Sequence, residues 1–520
     1  MTNLVADIAE TAAESPANVA VSFGGRDVPY DAFWSRVGQF AQALADAGVE
    51  PGDRVGLYLP NLPQYVTAFH GVLRAGGIVV PMNPQYKSRE ISHLLSDSGA
   101  KAVVTLADLV PFVQEVRDDT AVETVVSVNG EADGAVTFES FLATEELAVV
   151  DRADDDVAVQ PYTSGTTGTP KGVLLTHENL AWDARATADL MPGGVKEDDV
   201  FLGVLPLFHI YGMTVTMIAT LFEGGGYRPV PAWDAQEAAE IIADEGITVM
   251  HGVPAMFNDL VNQPNTDEFD LSSLRFANSG GSSLPIEVMQ RFEELFDLEL
   301  YEGYGLTETS PVTHANRPDD RRPGSIGKPL DGVESMIVDG SFEELDPVPE
   351  GPVNEDEIDL DEITGELVIS GPNVMKGYYN LPAANEGAFT EADGKRWFHT
   401  GDIGYYDEDG YFYVVDREKH MIVTGGYNVY PREVEELLFE HEDVADAAVV
   451  GIPDERRGET VKAFVVPTPD AEVTPEDIKE YCLTNMAEYK HPREVEFVEE
   501  LPRTTTGKVQ KFELRGEDAE

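Results

Sequence analysis

Apolar and polar positions along the chain repeat with two different periods. The runs "DRVGLYLP" (53–60) and "GGIVVPMN" (76–83) are apolar stretches of strand length. Between them "YVTAFHGVLRA" (65–75) repeats its apolar residues at i, i+3 and i+4, the signature of a helix with one buried face. "KAVVTL" (101–106), "ETVVSV" (123–128), "VAVQPY" (157–162), "KGVLLT" (171–176) and "VFLGVLPL" (200–207) continue the strand series. Thr176 is placed to cap a helix over "HENLAWDARATADL" (177–190), and "DAQEAAEIIADEGITVMHGVP" (234–254) reads as a helix leading into another strand. Strand–helix–strand units at this spacing predict an α/β fold with parallel sheets.

Further along the pattern changes. Residues 339–362 are dense in acid and carry three prolines, which predicts a solvated surface loop. The segment 404–426 reads as shorter strands with a hairpin turn at Asp409-Gly410. From about Asp416 the pattern resets to helix (431–441), strand (444–453), strand (461–467) and helix (474–486), so a hinge is drawn at 416–420 between 1–415 and 421–520. The final "GEDAE" is expected to fray, and no internal repeat is visible.

Length and composition fit this picture. At 520 residues, two or more domains are expected, and 42% hydrophobic residues supply a sizeable core. The longest apolar run, "MTVTMIATLF" (213–222), falls well short of the ~18 residues of a membrane helix. The start "MTNLVADIAE" has no basic stretch followed by an apolar one, so no secretory signal is expected. A single cysteine, Cys482, excludes an intramolecular disulfide and a cysteine-rich metal site, and is expected to be an inert, partly buried thiol. These features predict a soluble cytoplasmic protein.

Charge changes the picture more. There are 96 acidic residues against 35 basic, a formal net charge of -61, spread along the whole chain as on the solvated surface of a halophilic protein. Such a charge opposes binding to nucleic acid or to an anionic membrane. Thirteen of the 35 Lys and Arg residues fall in 416–520, the end where an anionic ligand finds most help.

The candidate chemistry begins at "YTSGTTGTPKGVLLTH" (162–177). Gly165 and Gly168 free backbone N–H groups in the loop between two strands. Hydroxyls come from Thr163, Ser164, Thr166, Thr167 and Thr169, and a cation from Lys171. Successive N–H groups in glycine-permitted turns make a nest for phosphate oxygens. The spacing is not that of a Walker loop, because the lysine follows proline in a hairpin and does not open a helix.

This stretch resembles the signature of the adenylate-forming enzymes, the superfamily of acyl-CoA synthetases, peptide-synthetase adenylation domains and firefly luciferase. Further blocks follow in that family's order: "GGSSLP" (280–285), "YGLTE" (304–308), "GELVISG" (365–371), "WFHTGD" (397–402), "DREKHMIVTGGYNVYPREVE" (416–435) and "PRTTTGK" (502–508). The resemblance runs nearly end to end. It implies a large N-terminal domain of α/β subdomains plus a small β-barrel, with a small mobile α+β C-terminal domain. It also implies ATP, Mg²⁺ and coenzyme A as cofactor and co-substrates, in a monomer or homodimer.

The resemblance distributes roles among these blocks. Thr163, Ser164, Gly165, Thr166, Thr167, Gly168 and Lys171 would wrap the phosphates, and Thr166 is counted with the catalytic set. Gly280, Gly281, Ser282, Glu302, Gly303, Tyr304 and Thr307 would complete the ATP site. Tyr304, between two glycines, offers a ring for adenine or is a core tyrosine. A carboxylate beside phosphate is unfavourable unless a cation intervenes, so Glu308 implies Mg²⁺, held by analogy with Thr163. Asp402 matches the residue that grips both ribose hydroxyls, and Arg417 the basic residue reaching the ribose or phosphate. Lys508 matches the lysine that bridges the attacking carboxylate and the α-phosphate. Lys419 occupies the hinge position, and rotation about it brings Gly425 and Gly426, lacking side chains, to the pantetheine arm of CoA.

"LPLFHIYGM" (205–213) is similar to the acyl-pocket segment of fatty acyl-CoA and 4-coumarate:CoA ligases. His209 matches an aromatic gate there, or is a satisfied interior histidine, and is carried in the catalytic set. His251, Val253, Met256 and Ser279 are the other candidate wall residues. No Asp follows His251–Pro254 to anchor an amino acid's amine. The implied activity is an acid–CoA ligase forming acyl-AMP from a medium- or long-chain fatty acid. Its rivals are an aryl-acid ligase and an enzyme that stops at the adenylate or loads a carrier.

Overall fold

The computed structural model describes residues 4–164, 170–353, 360–417, 420–424, 427–441, 443–454, 456–468, 471, 473–504 and 509–515. Among these residues the strands form four sheets, two of nine strands and two of five. The first runs Lys328–Pro329, Val312–Ala315, Leu300–Gly305, Phe276–Ser279, Val249–Gly252, Val200–Gly203, Gly226–Pro229, Val19–Phe23, Arg26–Pro29. From Leu300–Gly305 to Val19–Phe23 every neighbouring pair is parallel. The second sheet has a parallel centre of Val157–Val159, Ile78–Pro81, Arg54–Tyr58, Ala102–Leu106 and Thr124–Val128. These strands are covered on both faces, which is why Val55, Leu57, Val103, Val104 and Val126 are fully buried in near-continuous apolar runs. One core ties the two sheets together, with Val21, Phe201 and Tyr227 from the first and Val55, Val79 and Val173 from the second.

The covering helices start where the sequence provides caps. Thr176 Oγ1 accepts from Asn179 N–H at 3.1 Å ahead of helix His177–Ala188. Asp234 Oδ1 accepts from Glu237 N–H at 2.9 Å ahead of Ala235–Glu245, which ends on left-handed Gly246. Helix Pro63–Arg74 bridges Arg54–Tyr58 and Ile78–Pro81 as the periodicity predicts.

A five-stranded antiparallel sheet follows, where the family resemblance implies a small barrel: Glu334–Val338, Gly365–Ser370, Lys395–Tyr406, Phe389–Ala392 and Phe412–Arg417. Gly410 takes φ +83° in the turn joining the strands Lys395–Tyr406 and Phe412–Arg417. The 339–362 segment is not wholly solvated. Val348 and Leu360 are buried against Tyr405, Tyr411 and Tyr413, because two apolar residues among the acids suffice to pin the loop to the sheet. "VAVQPY" is not one strand but two. Val157–Val159 joins the parallel sheet, while Tyr162–Ser164 turns away to pair with Pro170–Thr176.

The C-terminal residues build their own core. Ile422, Val429, Val434, Val449, Val465 and Ile478 pack between helices Pro431–Phe439 and Pro475–Asn485 and a mixed sheet centred on Val444–Asp454 and Gly458–Pro467. Cys482 lies in this core, fully buried, and burial pushes its thiol up to about 12, so it stays protonated and unreactive. No helix among the described residues is long and apolar enough to cross a membrane.

Candidate active site

Three neighbouring parallel strands end at one cavity of about 1040 Å³. Val249–Gly252 leads to Val253, Phe276–Ser279 to Gly280 and Gly281, and Leu300–Gly305 to Leu306, Thr307 and Glu308, all on its wall. The crevice beyond the carboxyl ends of parallel strands is where this architecture binds ligands. Close approach explains Gly305: a Cβ there would lie 1.9 Å from the Pro311 carbonyl oxygen.

The hairpin stem of the Thr-rich loop reaches the same cavity. Lys171 pairs with Thr163 and Pro170 with Ser164 across the stem, and Thr163 and Lys171 line the wall. Gly165, Thr166, Thr167, Gly168 and Thr169 lie outside the described residues. The stem is anchored from below: Tyr162 Oη donates to Asp97 at 2.7 Å and accepts from Gln160 Nε2 at 3.0 Å.

The ribose candidate is built by two strands. Asp402 and Arg417 are cross-strand partners, and Arg417 Nε donates to Asp402 Oδ1 at 2.7 Å. Tyr304 Oη donates to the other oxygen, Oδ2. Asp402 is only 2% exposed, so its carboxylate is oriented from both sides before any ligand arrives. Tyr304 meets His314 edge-on at 5.9 Å. Burial, and then the Asp402 charge, hold its phenol well above the ordinary value, so it remains a donor.

Beside it, Tyr378 Oη donates to Glu308 Oε1 at 3.0 Å, and Lys171 Nζ sits 5.0 Å from the centroid of the Tyr378 ring. Sequence reasoning missed Tyr378. The "GYY" run carries no local sign of where its hydroxyl points. That follows from pairing of Gly377–Tyr378 with Val173 and Leu174. Glu366 and His399, within the GELVISG and WFHTGD blocks, are also on the wall, and no motif signals a role for them.

Glu308 and Thr163 both line the cavity, and a carboxylate with a hydroxyl is a donor set that would suit a magnesium ion. Among the described residues no group of three His, Cys, Asp or Glu forms a protein cage. Mg²⁺ typically takes one or two carboxylates, waters and substrate phosphates, and Glu308 keeps Oε2 for such a role. Bound there, it would neutralise phosphate charge next to Glu308.

The C-terminal residues complete the wall. Arg503, Thr504, Gln510 and Phe512 line the cavity, and Arg503 bridges to Val509, which closes the base of the segment containing Lys508. Lys508, Lys419, Gly425 and Gly426 lie outside the described residues.

The acyl candidates separate into two groups. His209, His251 and Val253 are on the wall, with Tyr211, Val215 and Phe276. His251 is 4% exposed, stacks on Phe201 at 5.9 Å, and is held down to about 4 by burial, so its ring is neutral. Tyr211 opens a π-helical turn, Tyr211–Ile218, a distortion that apolar periodicity does not reveal. Met256 is buried behind the wall and Ser279 is fully buried; neither lines the cavity.

Of the nucleotide candidates, Gly280, Gly281, Gly303, Tyr304, Thr307 and Arg417 line the cavity. Ser282 is exposed and away from it. Glu302 and the nearly fully buried Asp402 are also off the wall; Asp402 lies behind it against Tyr304 and Arg417, and Glu302 Oε1 accepts from Leu284 N–H at 3.2 Å. Burial pushes its carboxyl up to about 7 against the opposing pull of Arg432.

Comparison with known proteins gives the family and the fold. The AMP-binding enzyme family model matches residues 8–379, and that of the AMP-binding enzyme C-terminal domain matches 433–508. A long-chain-fatty-acid–CoA ligase of Bacillus subtilis (strain 168) is 37% identical, over 99% of this chain and 94% of its own. A feruloyl-CoA synthase of an Amycolatopsis species is 36% identical over 96% of each chain. The ATP-bound crystal structure of MatB from Rhodopseudomonas palustris superposes with a TM-score of 0.88 at 30% identity, covering 99% of this chain and 98% of its own. The chain belongs to the AMP-binding enzymes, within the adenylate-forming acyl-CoA synthetase superfamily.

Proposed function

We propose that this protein is an ATP-dependent acid–CoA ligase that converts a medium- or long-chain fatty acid to its CoA thioester through an acyl-AMP intermediate. One observation carries the reading: a single cavity has both polar and carbon walls. Thr163, Lys171, Thr307, Glu308 and Arg417 gather on its wall. Leu190, Tyr211, Val215, Phe276 and Val312 add carbon to the same wall, and the His251 ring among them is uncharged. A nucleotide and an apolar acid would therefore share one space.

In the first step a carboxylate oxygen attacks the α-phosphorus and the bond to pyrophosphate breaks. Two anions must approach each other, and Lys508 is assigned the bridging charge that lowers this barrier. Asp402, Arg417 and Tyr304 are assigned to the ribose and adenine end, and Glu308 with Thr163 to the magnesium that accompanies ATP. In the second step rotation about the Lys419 hinge withdraws Lys508 and brings Gly425 and Gly426 to the pantetheine arm. The CoA sulfur then attacks the acyl carbonyl, and AMP leaves. The reading includes a cytoplasmic enzyme working in high salt.

A second reading, an aryl acid as substrate, is favoured by the rings of His209, Tyr211, His251 and Phe276 on the wall, and by a feruloyl-CoA synthase of nearly equal similarity. A panel of fatty, cinnamic and benzoic acids, assayed for CoA thioester in molar KCl, tests both. The highest kcat/KM is expected with a medium or long fatty acid. Preference for an aromatic acid would replace the first reading with the second, and adenylate without thioester would refute both.

A further inference from the structure

The bulge that carries Asp402 is held by side chains that have no role in the scheme above. In the pairing of Gly365–Ser370 with Lys395–Tyr406, Glu366 lies opposite Ile403 and Val368 opposite His399. Two steps along one strand match four along the other, so two extra residues are looped out around Thr400, Gly401 and Asp402. Gly401 takes φ +69°, a left-handed turn suited to glycine. A looped-out segment loses ladder partners, and its N–H groups need other acceptors.

Glu366 supplies one of them. Its Oε1 accepts from Gly401 N–H at 3.0 Å, while Oε2 holds His399 Nδ1 at 2.8 Å. His399 Nε2 lies 2.8 Å from Thr390 Oγ1 on the next strand. Thr400 Oγ1 donates to the Leu367 carbonyl at 2.7 Å and accepts from Asp402 N–H at 3.0 Å. Glu366, His399, Thr400 and Gly401 all line the cavity, so this staple borders the ligand space.

We infer that Glu366, acting with His399 and Thr400, is a positioning residue for the nucleotide's ribose. One carboxylate ties His399, at the start of the bulge, to Gly401 at its centre, and the Thr400 hydroxyl holds the Asp402 N–H, so the backbone of Asp402 is fixed; Tyr304 and Arg417 then fix its side chain. Recognition of a ribose diol by a carboxylate needs the oxygens placed to within a fraction of an ångström, and a looped-out strand without the staple would not hold them there. The inference rests on the reading of Asp402 as the ribose residue.

Binding of ATP and of 2′,3′-dideoxy-ATP to the full-length protein in molar KCl, by calorimetry, tests it. Glu366→Ala is expected to weaken ATP by roughly tenfold, the worth of one charge-assisted contact, while dideoxy-ATP changes by less than about twofold. Thr400→Val, close in shape to the native residue, is expected to do the same and covers the case in which Glu366→Ala fails to fold. Glu366→Gln, whose amide oxygen still accepts from Gly401, is expected to retain most of the ATP affinity. Equal weakening of both nucleotides, or of neither, overturns the positioning role. Asp402→Ala separates the two claims. If it erases the preference for ATP while Glu366→Ala and Thr400→Val do not, only the staple fails. If the wild-type protein binds both nucleotides equally, or Asp402→Ala leaves the preference intact, the ribose reading fails and the staple falls with it.

Discussion

Two side chains show how burial and charge decide roles at the scale of single residues. Tyr378 donates to Glu308 and carries Lys171 against its ring, so it holds the carboxylate that we propose faces the phosphates. Tyr378→Phe removes the hydroxyl and keeps the ring. Acid-dependent adenylation is expected to slow by about tenfold, the loss of one hydrogen bond to a charged group, with thioester formation from supplied acyl-AMP unchanged. Asp183 is different. It is fully buried in helix His177–Ala188, and burial raises its carboxyl well above the ordinary 3.8, so it is kept as the neutral acid. A carboxyl raised in the folded state binds a proton that the unfolded chain has released, so the cost to stability grows as pH rises above 3.8. Asp183→Asn is expected to raise the melting temperature at pH 8, with the gain shrinking toward zero near pH 4. An equal effect at both pH values would contradict the neutral-acid assignment.

Among elements, the sequence is most informative where local chemistry decides the outcome. Strands rich in Val, helices opened by Thr176, Asp234 and Thr474, and the glycine ending Ala235–Glu245 are all legible, because each depends on near neighbours. The two-residue bulge at Thr400–Asp402, the π-helical turn at Tyr211 and the departure of Tyr162–Ser164 from the parallel sheet are not. Each is set by pairing with distant chain. The same division holds for the site. Tyr304, Asp402 and Arg417 are named by their motifs, and the structure joins them; Tyr378, Glu366 and His399 need the fold to bring partners together. Lys508, between the bridged residues Arg503 and Val509, carries the proposed catalytic assignment and gives its test. Lys508→Ala is expected to abolish adenylation while sparing thioester formation from supplied acyl-AMP. Equal loss of both half-reactions would remove the lysine from its bridging role.

For the whole molecule, a net charge of -61 means that self-repulsion opposes the compact state. Screening lengths fall from about 10 Å at 0.1 M salt to about 3 Å at 1 M, so added KCl relieves most of that repulsion. The melting temperature is expected to climb steeply from dilute buffer to molar KCl, and unchanged stability across that range would rule out salt-dependent folding. The C-terminal unit has its own core, yet Arg503, Thr504, Gln510 and Phe512 reach the cavity of the larger unit. A site assembled from both units suits chemistry in which an activated acid forms in a shared space. The most direct measurement is acid-dependent exchange of labelled pyrophosphate into ATP, with Mg²⁺ in molar KCl. Exchange is expected with fatty acids and none without acid; absence of exchange with every carboxylic acid offered would contradict the adenylating role assigned to this cavity.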